Sequence, residues 1–394
     1  MNILFLFYAP MLPYVGGIQR VSENLAREMT KRGHCVFFLS INSEEKNTNY
    51  AYPVPQFFLD EKLSKEDYIV SYRSLIETNH INVVINQEPR EDFLEVLGQT
   101  PIGVKRVTCF HTQPFLTQGK TRQIMKYYKP QGFKAKLYRT LCRLFPTFHA
   151  KQTLKLERDV FDRALKVSDR LCLESAYYFQ RIAKYMPDLD VSKLVAVNNP
   201  NSFPLIGKDL FVKEKIILWV GRQINTPKNV PAFIDFWVRF QKRNPDWKAM
   251  VIGVGPDLEY NKRYSVGKKA QNIEFLGRVD DVSAYYRRAT FFMTTSMYEG
   301  FPMVLLEAMN NGCIPCASDT FEALHDIIDD GVNGVIVPAY DYNRMISRIE
   351  DIMQDKTVMY SMQNSAIEKT KKFSVERIVN KWETILSGLG HESE

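Results

Sequence analysis

Two carboxylates, Glu299 and Glu307, bracket the nine-residue segment Glu-Gly-Phe-Pro-Met-Val-Leu-Leu-Glu. Gly300 and Pro302 place a loop after the first acid, and the apolar run beyond them starts a helix. Backbone N–H groups at a helix start can bind an anion or sugar oxygens. A carboxylate accepts hydrogen bonds from hydroxyls, so both acids suit a polyol partner, Glu307 in particular a ribose diol. A random pair of glutamates at this spacing is normally solvated. The apolar setting and the glycine–proline loop argue against that here.

Positive charge stands in a second cluster. Val220-Gly221-Arg222 ends a strand, and Lys228-Asn229 precedes a helix. Two fixed cations can neutralise the charge that gathers on a departing diphosphate, which elsewhere is the task of a metal. An ordinary loop lysine is the plainer reading of Lys228. His111 follows the strand Val107–Phe110, at the carboxyl end where open α/β sheets place ligands. The other histidines, at positions 34, 80, 149, 325 and 391, read as structural.

Two further motifs are discounted. Cys313 and Cys316 have redox spacing but lie in an apolar run, with no second pair to complete a zinc site. Asp188 and Asp190 mimic a metal-binding Asp-x-Asp but fall between a helix ending near Met186 and a strand at Leu194, which reads as a surface loop. The loop Gly16-Gly17-Ile18-Gln19-Arg20 is not Gly-x-Gly-x-x-Gly, and the acid expected about 20 residues on is not evident, which counts against a nicotinamide-dependent enzyme.

The elements that must position these residues alternate. Ile3–Ala9 is a continuous apolar run, and Ile18, Val21, Leu25 and Met29 then recur at helical spacing up to Gly33. Short strands are expected at Val36–Leu39, Val83–Ile85, Val107–Phe110, Leu171–Leu173 and Leu194–Val197. The pattern restarts at Ile216–Val220 and continues with Met250–Ile252, Ile273–Leu276, Phe291–Thr294, Ile314–Ala317 and Val335–Val337. Strands separated by helices imply parallel sheets. At 394 residues two α/β domains are expected, residues 1–204 and 213–374, joined by a linker near 200–213 and followed by a terminal helix over 375–394.

The bulk composition, 45% hydrophobic and 25% charged, excludes a disordered or fibrous chain. The apolar start lacks a basic leader and meets Pro10, Pro13 and Gly16 at once, so it reads as a strand rather than a signal peptide. No stretch approaches the roughly 18 apolar residues of a membrane span, and six scattered cysteines suit a reducing compartment, so a cytoplasmic location is expected. A net charge of +7 is too modest to argue for nucleic acid. Its distribution is uneven: between Lys120 and Lys166 stand 13 Lys or Arg against Glu157, Asp159 and Asp162. Lys126, Lys129, Lys134, Lys136, Arg139 and Arg143 alternate there with Tyr127, Tyr128, Phe133, Leu137, Tyr138, Leu141 and Leu144. A solvated helical face explains this; so does an anionic membrane surface on the inner leaflet or a lipid diphosphate. Leu137, Leu141 and Leu144 recur at helical spacing, and either lipid or the domain core can be their partner.

Taken together, these residues resemble glycosyltransferase family 4, whose signature is Glu-x7-Glu, and the resemblance covers nearly the whole chain. It implies the GT-B fold, two Rossmann-like domains facing across a cleft, with acceptor in the first, nucleotide sugar in the second and the last helix crossing back. It implies retention of anomeric configuration and places Glu299 by the donor sugar and Glu307 by the donor ribose. Arg222 and Lys228 would serve the β-phosphate, although one more residue separates them here than in the commonest family spacing. His111 would contact the donor sugar, Gly16 and Gly17 would approach the donor phosphate, and Gly253, Gly255, Gly300, Phe301, Pro302 and Met303 would border the donor. No metal or cofactor is then expected, and the donor would be a UDP- or GDP-sugar. Family members of bacterial surface polysaccharide synthesis extend lipid-linked saccharides, which makes such an acceptor the expectation and a soluble saccharide the alternative.

Rival readings are a GT-B sugar-nucleotide epimerase, a phosphorylase and a noncatalytic sugar-nucleotide-binding module. An epimerase would turn over donor without acceptor. A phosphorylase of the glycogen type needs a pyridoxal-binding lysine and a far longer chain, and a binding module has no need to keep Arg222, Lys228, Glu299 and Glu307 together.

Overall fold

Strands buried on both faces, such as Ile3–Phe7 and Ala289–Thr294, demand helices on either side of a parallel sheet. The computed structural model describes residues 1–12, 16–41, 50–59, 63–127, 132–205 and 212–389. Its first part runs β1 (Asn2–Phe7), α1 (Gly17–Lys31), β2 (Cys35–Ser40), β3 (Gln56–Phe58), α2 (Lys65–Thr78), β4 (Val83–Asn86), α3 (Glu91–Leu97) and β5 (Lys105–Phe110). Three successive helices follow, α4 (Thr121–Tyr127), α5 (Gly132–Leu144) and α6 (Pro146–Val167), then β6 (Arg170–Leu173), α7 (Tyr177–Tyr185) and β7 (Leu194–Ala196). The second part opens with β8 (Glu214–Val220), α8 (Asn225–Lys228), α9 (Val230–Arg243), β9 (Lys248–Ile252), α10 (Leu258–Gly267) and β10 (Ile273–Gly277). It continues with α11 (Val282–Arg288), β11 (Ala289–Thr294), α12 (Met303–Asn310), β12 (Ile314–Asp319), α13 (Leu324–Ile327), β13 (Val335–Pro338), α14 (Tyr342–Gln354), α15 (Lys356–Thr370) and α16 (Val375–Gly388).

Every strand pairing is parallel. The first sheet has the order β3-β2-β1-β4-β5-β6-β7 and the second β10-β9-β8-β11-β12-β13. Each order reverses once, at β1/β4 and at β8/β11, and the carboxyl ends of strands at such a reversal form the ligand crevice of an open α/β sheet. The expected strands are therefore present, and β3, three half-buried residues at the sheet edge, is one the alternation did not predict.

The chain divides into two compact units, one holding Met1–Phe115, Gln152–Ser202 and the chain from Ser374, the other Leu116–Lys151 and Phe203–Phe373. Two α/β units with parallel sheets are what the alternation predicts. The partition of the residues differs from a break near 204. Residues 116–151 join the second unit, because the Lys120 ammonium donates to the carbonyl of Thr320 and the Thr226 hydroxyl donates to the carbonyl of Ile124 at 3.5 Å. Residues 206–211, the middle of the expected linker, lie outside the described residues, as do Pro13, Tyr128, Lys129 and His391.

Each unit has its own core. In the first, α1 turns Val21, Leu25 and Met29 inward, and Gly33, at a φ of +87°, ends the helix in a conformation glycine adopts without a Cβ penalty. On the same unit α16 packs against α1, with Arg32 2.8 Å and His34 2.9 Å from Glu383. In the second, α9 stacks Phe236 on Phe240, whose ring meets Trp247 edge-on at 5.7 Å.

Candidate active site

The loops that follow β8, β9, β11 and β12 gather most of the expected donor residues at the reversal of the second sheet. Two glycines let these loops touch. A Cβ on Gly253, whose φ is +125°, would lie 1.9 Å from the carbonyl oxygen of Gly221, and one on Gly255 would lie 2.5 Å from that of Gln223. The β9 loop thus leans directly on the β8 loop, which gives both glycines a packing reason whatever else they border. The loop after β11 is stitched to the same place: Met297 N–H donates to the carbonyl of Pro227 at 2.8 Å, and the Thr295 hydroxyl donates to that of Asn229 at 3.1 Å. From β12, Thr320 donates to the carbonyl of Ser296 at 2.6 Å.

That framework brings Lys228 and Glu299 together. The ammonium lies 2.6 Å from Glu299 Oε1, which also accepts from the Ser296 hydroxyl at 2.6 Å. With the extra residue between Arg222 and Lys228, the lysine still reaches Glu299. Both side chains are partly sheltered. Beside them, burial and then the charge of Glu299 raise the Tyr298 phenol above its ordinary value. Arg222 stays exposed with no side-chain partner among the described residues, so its charge is free to meet a ligand.

The second glutamate is placed differently. Glu307 lies in α12 at 3% exposure, and Tyr286, itself fully buried on α11, donates its hydroxyl to Glu307 Oε2 at 3.2 Å. Gly300 and Phe301 lead into α12, with Phe301 packed on Phe373 at 5.5 Å between ring centroids. Pro302 stands at the N-cap, where its side chain makes no hydrogen bond, and Met303 begins the helix.

In the first unit Gly16 is the N-cap and Gly17 the first residue of α1, again with no side-chain cap. His111 follows β5, and both its ring nitrogens are engaged: Nδ1 with Glu174 Oε1 at 3.0 Å and Nε2 with Gln87 Oε1 at 2.8 Å. Asn199 donates to the same Glu174 oxygen at 2.6 Å, while Glu174 Oε2 is buried without a partner among the described residues. A cavity of about 20 Å³, room for about one water, is lined by His111, Glu174, Gln87 and Asn199. The imidazole is thus held by residues after β4 and β6, and Asn199, after β7, steadies the glutamate. Sequence reading missed Gln87, Glu174, Tyr286 and Ser296. Only Glu174 carried a signal, a lone acid directly after a buried strand.

The two discounted motifs have structural roles. Cys313 is fully buried, with its thiol pushed up by burial, and donates to the carbonyl of Tyr286 at 2.9 Å. Asp190 accepts from Ser192 N–H at 3.0 Å and caps a short helical turn. Among the described residues no three His, Cys, Asp or Glu side chains are grouped to hold a metal.

Residues 206–373 match the family described as glycosyl transferases group 1. A glycosyltransferase of Haemophilus influenzae is 22% identical over 96% of this chain and 99% of its own. The amylovoran biosynthesis glycosyltransferase AmsD of Erwinia amylovora is 24% identical over 94% of this chain and 96% of its own. Among solved structures, S. aureus TarM in complex with UDP superposes with a TM-score of 0.72 at 12% identity, covering 98% of this chain and 99% of that one. Fold and relatives together define the class: the protein is a glycosyltransferase of GT-B architecture. Arg222, Lys228, Glu299 and Glu307 all fall within the matched residues.

Proposed function

We propose that the enzyme moves a sugar, with retention of configuration, from a UDP- or GDP-sugar to a hydroxyl of a lipid-linked saccharide in surface polysaccharide synthesis, on the cytoplasmic side of a membrane. The observation that carries this reading is the Lys228–Glu299 pair at 2.6 Å, in the loops that follow β8 and β11, with the exposed Arg222 in the same β8 loop. A donor diphosphate replaces Glu299 as the partner of Lys228, and the released carboxylate then accepts from the sugar hydroxyls. Arg222 adds a second cation, and the first N–H groups of α12 offer further donors to an oxyanion. The bond from the anomeric carbon to phosphate oxygen breaks, and the bond to the acceptor oxygen forms on the same face. The acceptor proton passes to the departing phosphate, whose charge Arg222 and Lys228 hold without a metal.

UDP bound to TarM supports a nucleotide-diphosphate donor, and the part AmsD plays in amylovoran biosynthesis supports a polysaccharide product. Epimerisation and noncatalytic binding are not favoured, since these relatives are described as transferases. Calorimetry with a panel of nucleotide sugars tests the reading. One UDP- or GDP-sugar is expected to bind, with Arg222→Ala weakening the corresponding diphosphate by about ten-fold or more, the worth of a charge-assisted hydrogen bond. Because Arg222 is exposed, the variant keeps its fold; unchanged affinity removes it from the site.

A further inference from the structure

The run from Leu116 to Leu156 holds ten Lys or Arg and no acidic residue, whereas the rest of the chain has 42 basic against 45 acidic. The whole positive excess of the protein is therefore concentrated in one segment. Within it α5 has two unlike faces. Cys142 is buried, but Phe133, Leu137, Leu141 and Leu144 are 80%, 51%, 45% and 62% exposed. Their spacing of four, four and three residues sets them in one outward stripe. Phe145 and Phe148 extend the exposed apolar surface past the end of the helix. Lys134, Lys136 and Arg143 are exposed around it, and none has an ion-pair partner among the described residues. Packing against the core, one of the two partners open to this leucine series, is thus not what the fold does with it.

We propose that α5 lies in the surface of an anionic membrane, with Phe133, Leu137, Leu141 and Leu144 at the acyl boundary and Lys134, Lys136 and Arg143 among the headgroups. This deepens the lipid-linked-acceptor reading and rests on it. At 13 residues the helix is about 20 Å long, suited to lying along an interface, and no described helix is long and apolar enough to cross a membrane. A second copy of the chain is a poor occupant, because two such faces would oppose like charges across an apolar seam. An anionic bilayer supplies both the apolar layer and the counter-charge. The attachment has an unusual address: residues 116–151 belong to the unit that carries Lys228 and Glu299, so the membrane contact travels with the donor residues.

The test uses the full-length protein carrying Leu141→Trp and vesicles of equal parts phosphatidylcholine and phosphatidylglycerol with brominated acyl chains. Trp219, Trp237, Trp247 and Trp382 are at most 5% exposed, so the new indole alone reports contact with lipid. Its emission is expected to shift to the blue and be quenched, more weakly as salt rises. In the otherwise unaltered chain, Phe133→Ser, Leu137→Ser and Leu144→Ser together are expected to lower vesicle binding on the order of ten-fold or more. Cosedimentation without quenching overturns insertion in favour of a charge-only contact. No binding at low salt overturns the proposal outright, as does a dimer in solution that these serine substitutions dissociate. Diphosphate affinity of the same variants, followed by calorimetry, separates the two readings: vesicle binding lost with that affinity intact leaves glycosyl transfer standing. Vesicle binding combined with equal use of soluble saccharides removes the lipid-linked acceptor and keeps the surface.

Discussion

Lys228 and Glu299 are each other's partner at 2.6 Å, so a diphosphate that uses the lysine competes with the carboxylate. That competition separates binding from turnover. In Glu299→Gln the competing charge is gone, and affinity for free nucleotide diphosphate is expected to stay the same or rise. Turnover is expected to fall by about 10²-fold, in the range of losing one electrostatic contact to a reacting group. Calorimetry beside steady-state rates checks this, and a parallel loss of diphosphate affinity would place Glu299 on the nucleotide instead. Glu299, Glu307, Arg222 and Lys228 were legible because their types and spacing stand out locally in the sequence. Their supports were not. Tyr286 reaches Glu307 from 21 residues away, and Glu174 reaches His111 from 63 residues away, pairings that exist only once the sheets have formed. His111 shows the limit most clearly: its place after β5 was evident, but the engagement of both nitrogens by Glu174 and Gln87 was not.

At the scale of elements, apolar runs bounded by glycine and polar turns located nearly every strand, since strands buried on both faces need continuous apolar sequence. β3 escaped because its three residues are only half-buried, and α5 was ambiguous because helical spacing shows a stripe but not what the stripe faces. The docking of α16 on α1 rests on apolar residues such as Trp382 and Leu386 and on one ionic cluster around Glu383. Hydrogen bonding to His34, and next to Arg32, holds the Glu383 carboxyl below its ordinary 4.5. A carboxyl depressed in the folded state adds stability that is present above that ordinary value and lost as pH falls through the lower folded one. The pair is partly exposed, so its worth is about 0.5–1 kcal/mol. The protection factors of amides along α16, with the intrinsic pH dependence of exchange divided out, are accordingly expected to fall about two- to five-fold on acidification below pH 4.5. Glu383→Gln should show the lower protection already at neutral pH and respond less to acid; an identical acid response in the variant would assign the effect to other groups.

Across the whole molecule, charge is sorted by task. The excess of basic residues is confined to the segment around α5, where each one near an anionic surface contributes about 1 kcal/mol, and the remainder of the chain is slightly acidic. The loops at the carboxyl ends of the second sheet instead hold two individually placed cations, Arg222 and Lys228. Acids elsewhere are committed to other duties: Asp190 and Asp281 cap helical turns, Asp257 accepts from Asn225 N–H at 2.7 Å, and Glu174 holds His111. Among the described residues no acidic or histidine cluster has the membership to bind a divalent ion. The proposed function gives Arg222 and Lys228 the stabilisation of the leaving diphosphate, as fixed charge in the place a metal would otherwise take. Transfer is expected to continue at an undiminished rate after exhaustive dialysis against EDTA, and Lys228→Met to lower turnover without rescue by manganese. Activity that disappears with EDTA and returns with manganese would reverse the assignment and bring Asp188 and Asp190 back into consideration as ligands.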